Sequence, residues 1–147
     1  MTQEMRDDLR KMKPFFARPE LEHEMGELDR VAELFAKDNP EKFKQEFVEK
    51  FSSAPLIELT DELWSKLENT DSYSGVSRGD WSRVAQLAEK YGRNWKKPKG
   101  KMERGETVYA PIIIEIGGAL HLLGGNTRLM VARAHGINPK AVVVKMD

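Results

Sequence analysis

Two glycine pairs, Gly117-Gly118 and Gly124-Gly125, constrain the last third of this chain more tightly than any other feature. A β-branched run, Pro111-Ile-Ile-Ile-Glu-Ile116, leads into the first pair, and a short strand-like run, Ala119 to Leu123, joins it to the second. A polar triplet follows, Asn126-Thr127-Arg128, then a helix-like run ending at Gly136 and a last β-branched run, Ala141 to Val144. Val108 to Ile116 reads as a strand, and Gly117-Gly118 is a hairpin signal that returns Ala119 to Leu123 antiparallel. Gly124 and Gly125 permit backbone angles and a close ligand approach that side chains prevent. Asn126 is expected to cap the helix, with Thr127 and Arg128 in its first turn. Exposed backbone N–H groups, a hydroxyl and a planar bidentate donor at that point make the pattern of an anion site. Gly136 suits the helix C-cap, and Asn138-Pro139 a turn before the final strand. The plainer reading is that the glycines only form tight turns and Arg128 makes an internal ion pair.

At 147 residues the chain is expected to form one domain, or a domain with an appendage, large enough to bury a core. Charged residues make up 33% and the formal net charge is zero, so bulk electrostatics selects no partner. There is no cysteine, which excludes disulfides, thiolate nucleophiles and thiolate metal sites. No apolar stretch approaches membrane-spanning length, and the N-terminus lacks the pattern of a signal peptide. The expected location is therefore cytoplasmic, with no membrane partner.

Upstream, the reading is largely helical. Residues 1 to 14 are polar and read as a tail or a frayed helix. Glu20 to Lys37 reads as a helix with Pro19 at its start, and Leu21, Met25, Leu28, Val31, Ala32 and Phe35 on one face. Asn39 is expected to cap a second helix carrying Phe43, Phe47 and Phe51. The two predict an αα-hairpin that lies on the rest of the molecule or supplies a homo-oligomer surface. Pro55 to Leu59 reads as a short strand. Thr60 is expected to cap a helix holding Leu63, Trp64 and Leu67. The turn-rich segment Asn69 to Ser77 is either a functional loop or a solvated connection. Ser77-Arg-Gly-Asp80 reads as a variant capping box and helix start, with Trp81, Val84, Leu87, Ala88 and Tyr91 at core-like spacing behind it.

Lys90 to Arg104 concentrates positive charge. Arg93, Lys96, Lys97, Lys99 and Lys101 are candidate nucleic-acid contacts, interleaved with Tyr91 and Trp95. Gly92, Pro98 and Gly100 predict a basic loop over 90–104. A solvated linker is the alternative.

Tyr109 to Lys145 resembles the core of the ParB/sulfiredoxin-like superfamily. Its strand-to-helix motif containing Gly-x-x-Arg is matched by Leu122-Leu-Gly-Gly-Asn-Thr-Arg-Leu-Met-Val-Ala-Arg-Ala-His-Gly136. The resemblance implies an α+β fold: a small mixed sheet with packed helices, here with an N-terminal helical hairpin. It divides the chain into an N-terminal helical extension over 1–53 and a ParB/sulfiredoxin-like domain over 54–147. Pro55 to Leu59 is the candidate for the family's upstream strand. In that superfamily the turn binds phosphates: ParB proteins hydrolyse CTP, sulfiredoxins use ATP to repair an oxidised cysteine, and related free-serine kinases transfer phosphate. The resemblance thereby implies that Gly124, Gly125, Asn126, Thr127 and Arg128 contact phosphate. Sulfiredoxins carry a reactive cysteine where this chain has Asn126, and the family's next histidine corresponds to Thr127. Sulfiredoxin chemistry is therefore not expected. The sequence ends soon after its last strand, without the helical DNA-binding region of a full ParB partition protein.

The resulting expectation is a nucleotide-phosphate-binding protein whose partner is a nucleoside triphosphate, ATP or CTP. Phosphate transfer to a hydroxyl of a small molecule or a nucleic acid is its candidate reaction. Arg128 would stabilise the transferring oxygens, and Asp71 or Glu58 would orient Mg²⁺ or the acceptor hydroxyl, with Asp71 the candidate metal ligand. His121 either lines the pocket or is a half-buried strand residue. His135 is expected to cap its helix. A non-catalytic DNA-binding or regulatory module, and a ParB-like nuclease, are the alternatives.

Overall fold

A computed structural model describes residues 16–146. The tail expected over 1–14 lies outside them. The elements run β1 (Phe16–Ala17), a 3-10 turn (Leu21–Glu24), α1 (Met25–Phe35), α2 (Pro40–Ser53), β2 (Leu56–Glu58) and α3 (Asp61–Ser65). They continue with α4 (Trp81–Lys90), α5 (Lys96–Glu103), β3 (Val108–Tyr109), β4 (Ile112–Ile116), β5 (Ala119–Gly124), α6 (Asn126–His135) and β6 (Lys140–Met146). This is a mixed α+β fold: a four-stranded sheet in the order β2-β6-β4-β5, with packed helices.

The sheet is built around the hairpin that the first glycine pair dictates. Ile116 faces Ala119 across the turn, and Gly117 and Gly118 have φ of 57° and 83°, the left-handed pair a two-residue hairpin loop requires. β6 returns parallel to β4, Ile112 to Ile116 against Val142 to Met146. β2 then pairs antiparallel to β6, with Leu56 opposite Val142. Successive residues Ile112, Ile113 and Ile114 of β4 are all buried, so both faces of the sheet are covered. α1 lies against β5 and α2 against β6, while α6 is flanked by α4 and α5.

The N-terminal hairpin is present, with α1 starting at Met25 after the 3-10 turn rather than at Glu20. Asn39 caps α2 as expected, its Oδ1 accepting from the Lys42 N–H at 3.1 Å. Leu28, Val31, Phe47 and Phe51 join one hydrophobic cluster with the strand residues of β4, β5 and β6. The helices over 25–53 are thus packed into the same core as the sheet.

Three local expectations are corrected. The strand expected over Val108–Ile116 is broken: β3 pairs parallel with β1, and β4 joins the main sheet. Pro111 has no N–H to contribute at the break, and the Ala110 N–H is bonded to the Ala17 carbonyl at 2.7 Å. The basic segment is not a loop over its whole length, because Lys96–Glu103 is helix α5. Pro98 falls in the first turn, where an N–H has no intrahelical acceptor anyway, and Met102 is buried beneath the helix. The cap of α4 is Asp80, whose side chain accepts from the Arg83 N–H at 3.1 Å, and not Ser77. Gly79, at φ 81°, turns its N–H onto the Ala134 carbonyl of α6 at 2.7 Å, which fixes the entry of the chain into α4. No helix among the described residues is long and apolar enough to cross a membrane.

Candidate functional site

The second glycine pair sits where β5 ends and α6 begins. β5 carries an irregularity there: Ile112 pairs with Gly124 but Ile113 with Leu122, so Leu123 is an extra residue that bends the strand into the turn. Gly125 has φ 105°, and a Cβ on it would come within 2.8 Å of the Pro111 Cβ and 2.9 Å of its Cα. Both the backbone angle and the space demand glycine. The first helical bond of α6 runs from the Leu129 N–H to the Gly125 carbonyl at 2.9 Å. The N–H groups of Asn126, Thr127 and Arg128 therefore have no acceptor within the helix. Asn126 is not the cap, which is Gly125. The Asn126 Oδ1 instead accepts a hydrogen bond from the Thr70 hydroxyl.

That bond is part of a clasp which brings the segment after α3 to the turn. Asn69 bonds Leu122 twice, donating from Nδ2 to its carbonyl at 2.8 Å and accepting its N–H on Oδ1 at 2.6 Å. The next residues are held by buried Ser72, which accepts from the Trp64 indole N–H at 2.7 Å. Asp71 lies between these anchors in the chain. The result is a cavity of about 630 Å³ lined by Asn69, Thr70, Asp71 and the whole Gly124–Arg128 segment.

Charge in the cavity is mixed. Arg128 is half-buried, and its Nε has no hydrogen-bond partner among the described residues. Burial pulls the Arg128 guanidinium below its ordinary pKa, and Glu24 opposes that shift. The side chain remains a cation. Glu24, on the 3-10 turn before α1, lines the same cavity and lies against Gly124. Burial raises the Glu24 pKa above its usual value, opposed by the charges of Arg128 and Arg93. The internal ion pair that the plainer reading assigned to Arg128 does not form as a close contact among the described residues, although Glu24 couples to it through space.

The cavity brings together six of the residues singled out in the sequence as catalytic or cofactor-binding: Gly124, Gly125, Asn126, Thr127, Arg128 and Asp71. Arg93, read as a nucleic-acid contact, is also in its wall. Glu58 is not. It lies on β2 and lines a separate depression of about 470 Å³ with Asp61, Arg78 and Arg133. His121 is also outside the lining: its Nε2 is 3.2 Å from a Glu68 carboxylate oxygen, and its ring packs 4.6 Å from that of Phe35. His135 caps nothing with a charge. Its ring meets Trp81 edge-on at 4.9 Å, and its Nε2 is buried without a partner among the described residues. Lys96, Lys97, Lys99 and Lys101 lie on α5, away from the cavity wall.

Glu24 was not marked by the sequence, where it is one acid among Glu20, Glu22 and Glu27 with no local motif. Asn69 and Thr70 carried a signal only as part of a polar turn. Among the described residues no cluster of three or more His, Asp or Glu side chains is arranged to hold a metal ion. A magnesium ion arriving on a nucleotide needs fewer protein ligands, since phosphate oxygens and water fill most of its octahedron. The chain matches no protein-family model, no curated protein and no solved structure.

Proposed function

We propose that this is a small ParB/sulfiredoxin-like protein that binds a nucleoside triphosphate, ATP or CTP, at the Gly124–Arg128 turn. The observation that carries this reading is the Arg128 guanidinium, with an unpartnered buried Nε, beside the free N–H groups that open α6. A buried donor left unpaired is costly, and phosphate oxygens match both the amides and the guanidinium. The hairpin, glycine turn, helix and last strand follow one another as the sequence reading had them, and that order supports the proposal.

Phosphate transfer to a hydroxyl is the reaction we assign to the site. The amides of Asn126, Thr127 and Arg128 would hold phosphate oxygens, and Arg128 would offset the charge that spreads over them. Asp71 would orient the acceptor hydroxyl or the magnesium ion that accompanies the nucleotide. The test is isothermal titration with ATP, CTP, ADP and a short DNA duplex, each with and without Mg²⁺. Nucleotide binding that disappears in Arg128→Ala is the expected result. DNA binding with no nucleotide response would overturn the reading.

A further inference from the structure

The basic segment adjoins the mixed-charge cavity through Tyr91 and Arg93. Lys90 to Arg104 holds seven cationic side chains against one acid, so six positive charges are concentrated there and the rest of a neutral chain carries six negative ones. Lys99 is paired with Glu103, and Arg104 with Glu106 at 2.7 Å. Lys90, Arg93, Lys96, Lys97 and Lys101 have no acid within ion-pair distance among the described residues. Tyr91 is 63% exposed and, with Arg93, forms part of the cavity wall. Lys90 Nζ stands 5.5 Å from the Tyr91 ring centroid, and Lys96 Nζ 5.8 Å from that of Trp95. A cationic track that begins in the cavity therefore carries an open aromatic face at its start.

We propose that this track binds a single-stranded nucleic acid, and that such a strand is the partner that meets the nucleotide at the cavity. Its phosphates lie along Arg93, Lys96, Lys97 and Lys101, and an unpaired base stacks on Tyr91. A lipid surface fits less well, because the apolar side chain of α5, Met102, is 2% exposed and nothing on that helix is left to insert. A duplex satisfies the charges but offers no free base face to Tyr91. The placement of the strand beside a nucleotide rests on the function proposed above, whereas the binding of the track does not.

The experiment is fluorescence anisotropy with a labelled oligothymidylate of about 12 nucleotides, inside the usual site size. The same strand as a duplex, heparin and anionic phosphatidylserine vesicles are the comparisons. Tyr91→Ala is expected to weaken oligothymidylate binding by about tenfold or more and leave heparin unaffected, because heparin has no bases. The double variant Lys96→Glu/Lys97→Glu is expected to weaken both and to flatten the log–log salt slope by about 1.4, or about 0.7 per lost phosphate contact. Equal effects of Tyr91→Ala on strand and heparin, tighter binding of duplex or vesicles, or no strand binding at low salt would each overturn the proposal. ATP titration of the same variants separates the two readings. ATP binding without strand binding sinks the track alone, and strand binding without ATP binding sinks the nucleotide site while the track stands.

Discussion

The carboxylate of Glu24 lies so close to Gly124 that a Cβ on that glycine would overlap it. A side chain from the turn before α1 thus faces the opening of α6, near Arg128 and Arg93. If the cavity takes an anion as proposed, Glu24 is a carboxylate in its wall that the ligand must face or displace.

Its titration should therefore control anion affinity. The Glu24 pKa is raised, chiefly by burial, so protonation begins above the usual carboxylate value of about 4.5. Falling pH removes the negative charge and should strengthen binding of sulfate, an anion that does not itself titrate in this range. Glu24→Gln should bind sulfate about tenfold more tightly at neutral pH, equivalent to about 1.4 kcal/mol, and lose most of the pH dependence. Calorimetric titration at constant ionic strength reads both. Superimposable pH profiles for the two proteins would remove Glu24 from the site.

Gly125 should be harder to replace than Gly117. Both have positive φ, 105° and 57°, but a Cβ at Gly117 meets nothing within 4 Å whereas one at Gly125 runs into Pro111. Gly117→Ala is expected to cost about 1 kcal/mol, from the backbone angle alone. Gly125→Ala is expected to cost about 3 kcal/mol or more, since Pro111 has to move as well. Urea unfolding of the two variants decides it, and equal losses would show that the contact with Pro111 is soft.

The parts legible in the sequence are those fixed by local chemistry. Gly117-Gly118 specified its hairpin, Gly136 its helix end at φ 75°, and Asn39 and Thr60 their caps, because each acts on residues within one turn of itself. What was illegible depended on distant partners. The break at Ala110-Pro111 exists because β1 takes up Val108 and Tyr109. Pro98 and Gly100 look like helix breakers, yet α5 forms because Pro98 sits in the first turn and the helix packs against α6. Asn126 is not the cap, because the helix starts from Gly125, and its Oδ1 instead accepts from the Thr70 hydroxyl brought in by the clasp at Asn69. Glu58 was chosen by residue type, but pairing of β2 with β6 places it in a different depression from Arg128. Glu24 reached the site only through the packing of α1 on β5.

Ser72 should matter more for stability than its size suggests. It is the acceptor for the Trp64 indole N–H, and both side chains are buried. Ser72→Ala leaves that N–H without a partner, at a cost of about 1–3 kcal/mol. Because Ser72 also anchors the segment that carries Asp71, the variant should weaken the Mg²⁺ dependence of nucleotide binding more than the binding itself. Thermal unfolding and titration with and without Mg²⁺ test the two parts. An unchanged melting temperature would mean the indole finds another acceptor.

His135 should make the fold weaken under mildly acidic conditions. Burial lowers its pKa below the ordinary value of 6.5, although a backbone hydrogen bond at Lys99 and the charge of Glu103 pull the other way. The unfolded chain then takes up the proton before the native one does. Native stability is therefore highest above about 6.5, falls as the pH drops from there toward the lower native value, and levels off below it. The denaturant midpoint of the wild-type protein should decline across that window. His135→Gln keeps a polar side chain against Trp81 but cannot titrate, and should remove that part of the decline. The measurement is a urea midpoint series from about pH 8 to about pH 5, monitored by tryptophan fluorescence since Trp81 touches the ring. Parallel declines in the two proteins would assign the pH dependence to the carboxylates and leave His135 with a packing role alone.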